Sequence, residues 1–349
     1  MRRARASILT VLILFMAFAA CAEKFELTGG QLKLVLIPET GSFSLYRLSD
    51  VGKNRYEALI EDRNFGTTNW FSVLSDGRVF KLARRSGKPV VLEPTEHGAR
   101  FIFTLTDDFQ VEQDFSLIPD RATGTPSALL IETRIENTSG REMPFALKVL
   151  LDTMLGETEG IHFFTDVRNR ISSETRIQPG VEQDSVIVSR KGDMSFALIL
   201  ESDLATRPEA VVAANWERLN TLTWKPDFLE GRSFNTLYSV QDSALLVMWP
   251  EKAIAPNGKY VVRTVVGPYA EGAEYGSSTL AVSAVDRDAV LADAARSVSV
   301  SLSEHERELR IRDLLDRIAQ IEKDPDRASD ELLAQMNREL DVLLESGAE

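Results

Sequence analysis

The chain has 349 residues, 44% of them hydrophobic, with 53 acidic against 40 basic side chains, three histidines and one cysteine. A formal charge of −13 excludes a nucleic-acid surface and adsorption to anionic lipid head groups, both of which need clustered Lys and Arg. With Cys21 as the only cysteine, an internal disulfide, thiol catalysis and a Cys-based zinc site are excluded, and stability has to come from packing.

Residues 1–22 read as a signal peptide. Arg2, Arg3 and Arg5 form a basic start, Ile8 to Ala20 is an uncharged apolar run, and small residues precede Glu23 and Lys24. The run falls short of the roughly 20 residues that a spanning helix needs. The mature chain is therefore expected to carry no transmembrane span and to work outside the cytoplasm, periplasmic or lipid-anchored. Two processing routes overlap. Ala20-Cys21-Ala22 is a small-x-small cleavage site before Glu23, while Phe18-Ala19-Ala20-Cys21 resembles a lipobox with Phe where Leu is usual. The second route would lipidate Cys21 and hold the protein on a membrane surface. Loss of the leader removes three of the 40 basic residues, so 37 face 53 acids and the net charge falls to −16.

From Phe25 to Pro268 the text reads as short strands. Gln31–Ile37, Ser42–Leu48, Trp70–Leu74 and Arg78–Leu82 are apolar or β-branched runs separated by Gly, Asp and Asn. Ser75-Asp76-Gly77 between the last two predicts a hairpin. Arg100–Leu105, Gln110–Leu117 and Leu129–Ile135 alternate apolar and polar, as half-buried antiparallel strands do. Further strands are expected at Pro144–Leu151, Ser185–Ser189, Ser195–Leu200, Ala244–Trp249 and Tyr260–Val266. Many short strands and no long helical period predict a mainly β fold, a large antiparallel sandwich over residues 23–280.

The composition changes near Val285. Asp286–Val298 is Ala-rich and helical in pattern, and Ser303 with Glu306 forms a capping box. Leu309, Leu314, Leu315, Ile318 and Ile321 follow at helical spacing until Pro325 interrupts. Ser329 then starts a second stripe through Leu332, Leu333, Met336, Leu340, Leu343 and Leu344. Residues 285–349 are expected to be an α-helical hairpin, with 303–345 available for self-association or a partner.

Three segments carry a family resemblance. Lys148 to Gly156 is an apolar strand ending in Asp152-Thr153 before a Gly-containing loop; Trp216-Glu217-Arg218-Leu219-Asn220 is followed by Trp224; Asp242 to Trp249 runs into Ala255-Pro256-Asn257-Gly258. In this order they resemble secreted bacterial β-supersandwich domains, galactose mutarotase-like in fold. Where relatives carry Asn-Asp-Gly after the Asp, this chain has Glu157-Thr158-Glu159-Gly160. The resemblance implies a supersandwich; the helical tail lies outside it.

Candidate site residues cluster in the loop Asp152–Asp166. Asp152, Glu157, Glu159, His162 and Asp166 can offer oxygen ligands to a cation, a Glu–His acid–base pair for a sugar, or caps and solvated charges in a turn. The spacing is not that of an EF-hand, and neither a metal nor a cofactor is assigned. Mutarotase-type chemistry needs an acid and a base across a pyranose. Of His97, His162 and His305, only His162 sits in a segment that can line a cleft, so the catalytic version of the fold reads as lost. Trp70 and Trp249 are expected in the core, whereas Trp216 and Trp224, flanking Arg218, Asn220 and Lys225, are candidates for a binding surface. No Gly-rich phosphate loop, HExxH or GxSxG is present.

The residues point to an exported, non-enzymatic sandwich that binds an envelope protein or glycan, with the tail used for assembly. The alternative is a carbohydrate-active enzyme working through the Glu157–His162 loop. An open polar groove on the concave face of the sandwich would favour sugar; a face plugged by the helical tail would favour a protein partner.

Overall fold

A computed structural model describes residues 24–62, 68–83, 90–121, 123–157, 160–237, 239–240 and 242–269. The leader with Cys21, Glu159, His305 and the predicted helical hairpin lie outside the described residues. Strands follow one another in the order β1 (Phe25–Gly29), β2 (Leu32–Ile37), β3 (Ser42–Asp50), β4 (Arg55–Ala58), β5 (Trp70–Ser75), β6 (Arg78–Lys81), β7 (Val90–Thr95), β8 (Gly98–Thr104) and β9 (Phe109–Pro119). They continue with β10 (Pro126–Asn137), β11 (Met143–Thr153), β12 (Phe164–Thr165), β13 (Thr175–Ile177), β14 (Val186–Lys191), β15 (Met194–Ile199) and β16 (Ala210–Asn215). One four-residue helical turn, α1 (Trp216–Leu219), precedes β17 (Ser243–Ile254) and β18 (Lys259–Gly267). No helix among the described residues is long and apolar enough to cross a membrane.

The strands form three antiparallel sheets: β1-β2-β3-β4, an eight-stranded sheet ordered β12-β14-β15-β18-β10-β9-β8-β7, and a six-stranded sheet ordered β13-β16-β17-β11-β5-β6. One apolar core joins them. Phe109 of the eight-stranded sheet meets Phe145 of the six-stranded one at 5.2 Å between ring centroids, and Phe43 of the four-stranded sheet touches both through Phe71 and Phe115. Asp76 and Gly77 both have positive φ, which only an Asp-Gly or Asn-Gly pair adopts readily, and they turn β5 into β6 as expected.

The two large sheets treat their outer faces differently. In β9 and β10 buried and half-buried residues alternate, and the outward set is a charge lattice. Arg100 pairs with Asp114 at 2.7 Å, Arg263 with Glu132 at 2.6 Å, and Arg134 bridges Asp114 and Glu132. That face is wet and satisfied by its own partners. In β11, β16 and the first half of β17 nearly every residue is buried, so the six-stranded sheet is covered on both sides. One side is the core; the other is the site.

Candidate functional site

Register defines the outer face of the six-stranded sheet. Lys81, Ser72, Lys148, Met248 and Ala210 form one row across β6, β5, β11, β17 and β16. Trp70, Leu150, Leu246 and Val212 form the next, and Asp152, Ala244 and Ala214 the third. A lysine and an aspartate thus stand at either end of an apolar strip.

The chain covers this strip with its own residues 216–237. Asn215 ends β16 and caps α1 by accepting a hydrogen bond from the Glu217 amide at 2.9 Å. Leu219 is buried, and Trp216 and Phe228 pack with it on Trp70, Leu150 and Leu246. Polar pins fix the cover. Trp70 Nε1 donates to Asn220 Oδ1 at 3.2 Å, Lys148 Nζ to the Thr223 carbonyl at 2.7 Å, and Asn215 Nδ2 to the Phe234 carbonyl at 2.6 Å. The strongest pin is Glu174, fully buried at the start of β13. Its carboxylate accepts from Arg218, from Arg232 Nε at 3.0 Å and from the Leu229 amide at 3.0 Å. The pairing raises the Arg232 pKa through its hydrogen bond to Glu174.

At one end of the strip the carboxylates of Asp152, Glu157 and Asp242 converge, each offering an oxygen within 4.8 Å of the others. Glu157 Oε1 accepts from the Ser243 amide at 2.9 Å and Asp242 Oδ2 from the Ser239 hydroxyl at 2.6 Å. Oxygens bound to one calcium at about 2.4 Å lie no further apart than about 4.8 Å, so the spacing suits a hard divalent cation. The same three groups can accept hydrogen bonds from a polyol. Asp242 was not a sequence candidate, because only the β11–β17 pairing brings it to Asp152.

Other candidates take structural positions. His162 is buried with its ring 4.3 Å from that of Phe234, and burial lowers its pKa to about 4, so it is neutral at pH 7. Its Nδ1 has no hydrogen-bond partner among the described residues. Asp166 accepts from the Ser185 amide at 2.9 Å and ties the end of β12 to the start of β14. Arg218 is committed to Glu174 and to the carbonyls of Ser233 and Asn235, both at 2.8 Å. Trp216 is half-buried against the sheet, and half-buried Trp224 holds its ring 5.4 Å from Lys148 Nζ. Trp70 and Trp249 are buried, the latter donating from Nε1 to the Thr206 carbonyl at 2.8 Å. His97 is exposed beside Glu96. The structure thus joins Asp152 to Glu157, and Trp216 to Arg218 and Trp224 on the cover.

The outer surface of the cover is open. A groove of about 480 Å³ is lined by Glu217, Arg218, Thr221, Asp227, Thr236 and Leu237. Leu237 is 93% exposed, and Leu222, Leu229 and Val240 are exposed as well. Nowhere else among the described residues does so short a stretch expose four large apolar side chains.

Comparison with solved structures finds galactose mutarotase-like proteins. A galactose mutarotase-like protein from Lactobacillus casei is 9% identical, with a TM-score of 0.45 over 71% of this chain and 100% of that one. An aldose epimerase homologue from C. elegans is 11% identical, with a TM-score of 0.42 over 71% of this chain and 98% of that one. A galactose mutarotase related enzyme from Lactobacillus acidophilus is 10% identical, with a TM-score of 0.41 over 73% and 100%. No family model and no curated protein matches the chain.

Proposed function

We propose that this chain is an exported, non-enzymatic protein of the cell envelope that binds a protein partner on the cover formed by residues 216–237. The observation that carries this reading is the filled sheet face. The outer face of the six-stranded sheet is packed with Trp216, Leu219 and Phe228. The same segment turns Leu222, Leu229 and Leu237 to solvent beside the groove. Clustered exposed apolar side chains rimmed by charge are the usual mark of a protein-binding surface. Export through residues 1–22, attachment through Cys21 and self-association through 303–345 belong to the same proposal.

A photocrosslinking amino acid at position 237, in cells, tests it. The expected result is one discrete protein adduct, absent when the crosslinker is placed at Val51, which is also exposed, and lost when Leu229→Asp is added. The absence of an adduct at 237, or the same adduct from 51, would overturn the proposal.

One observation favours a second reading, a carbohydrate-active enzyme: the Asp152, Glu157 and Asp242 carboxylates converge at the end of the sheet. Enzyme-dependent mutarotation of a freshly dissolved aldose, lost in Asp152→Asn, would establish it in place of the first.

A further inference from the structure

The row Lys81–Ser72–Lys148 is unlike the rest of the surface. Ser72 pairs directly with Lys81 on one side and Lys148 on the other. Directly opposed residues have Cβ atoms about 5 Å apart, so a lysine side chain rises on either side of Ser72. Lys81 Nζ stands 4.6 Å from the Trp70 ring centroid, and Lys148 Nζ stands 5.7 Å from that ring and 5.4 Å from the ring of Trp224. In a chain with 53 acidic residues, neither amine has a carboxylate partner among the described residues. Lys148 is 1% exposed, and Ser72 Oγ is buried with no hydrogen-bond partner among the described residues.

The energetics of this row are incomplete without a ligand. Burial lowers the pKa of both lysines, that of Lys148 to about 8, so the Lys148 amine still carries charge at neutral pH. Ring faces return less than desolvating an unpaired ammonium costs. A buried hydroxyl without a partner adds a cost of its own. One anionic group would answer all three.

The geometry points to an anion site at Lys81, Ser72 and Lys148 that takes the carboxylate or phosphate of a small ligand, with the rings of Trp70 and Trp224 beside it. Lys148 now donates to the carbonyl of Thr223, an exposed residue, and Lys81 is half-buried, so the ligand enters past Thr223 and replaces its carbonyl at the Lys148 ammonium. The exchange trades a neutral acceptor for a charged one and gives the buried ammonium the counter-charge it lacks.

D-Galacturonate, inorganic phosphate and D-galactose are the probes, titrated at constant ionic strength with tryptophan fluorescence and thermal unfolding as readouts. Galactose matches galacturonate apart from the carboxylate. The site predicts a saturable fluorescence change and a raised unfolding midpoint with galacturonate or phosphate, and neither effect with galactose. The tighter of the two anions identifies the chemistry. Lys81→Met and Lys148→Met should each weaken binding by about tenfold or more, the worth of one charged hydrogen bond. No saturable change with either anion, or an unchanged response in both variants, would overturn the assignment.

Discussion

Replacing Lys148 by methionine raises the stability of the folded protein at pH 7 by about 1–3 kcal/mol. The wild-type ammonium is buried without a counter-charge, and desolvation brings its pKa from 10.5 to about 8. Each pKa unit is about 1.4 kcal/mol between the protonation states. At pH 7 the amine is charged in both the folded and unfolded chains, so the folded state bears the whole penalty. As pH rises from 8 to 10.5 the folded chain sheds this proton while the unfolded chain keeps it, and wild-type stability climbs. Methionine keeps an unbranched stem of similar length among Trp70, Trp224 and Met248, and leaves the Thr223 carbonyl to water. The variant should therefore be more stable at pH 7 and lack the rise between pH 8 and 10.5. Tyr46 and Tyr260, whose pKa values burial raises, titrate alike in both proteins and cancel in the difference. Urea unfolding at pH 7, 9 and 10.5 measures it; parallel profiles, or a destabilised variant, would contradict the description of Lys148 as an unpaired buried charge. Retention of a destabilising lysine is what a binding role predicts.

Glu174→Ala is expected to cost about 3–5 kcal/mol, the range for removing one partner of a buried ion pair. Glu174 holds Arg218, Arg232 and the Leu229 amide at once, and its own backbone receives the Gly231 amide at 2.8 Å. Its loss leaves two guanidinium groups facing a cavity and frees the middle of the cover, whereas the sheets beneath keep their own ladders. Urea unfolding checks the magnitude, with Glu174→Gln expected to lose less because it still accepts hydrogen bonds. A loss below about 1 kcal/mol, typical of an exposed pair, would show that the carboxylate does not anchor the cover.

Much of the body was legible because periodicity reports burial. The alternation in Gln110–Leu117 and Leu129–Ile135 appears as β9 and β10 with one wet face, and the Asp76-Gly77 hairpin stands where its turn chemistry demands. The core positions of Trp70 and Trp249 agree with their place inside strands. Other strands escaped notice for physical reasons. β16 is Ala-Val-Val-Ala-Ala-Asn, short and without alternation because both its faces are covered, and β7 carries Pro94, which fits only an edge.

The site was less legible. A continuous run such as Lys148–Thr153 signals a strand buried on both sides. It does not say what buries it, and here the cover is a segment nearly 70 residues further on. Trp216 and Arg218 looked like ligand residues because they are large and lie in a turn-rich stretch; in three dimensions one packs on the sheet and the other neutralises Glu174. Asp242 and the Ser72–Lys148 pair depend on strand pairing across long separations, and Glu174 on side-chain contacts 44 and 58 residues away, none of which spacing along the chain encodes.

The outer face of the six-stranded sheet is filled by residues 216–237, and their outer surface is the one proposed to bind a partner. Thiol labelling tests it most directly, in a chain whose only native cysteine, Cys21, is replaced by serine. Leu150→Cys lies beneath the cover and Leu237→Cys on its outer surface. Under native conditions the cysteine at 150 is expected to react with a maleimide about a thousandfold more slowly than the one at 237, because the reagent reaches it only when the cover opens. Equal labelling rates would show an open sheet face instead.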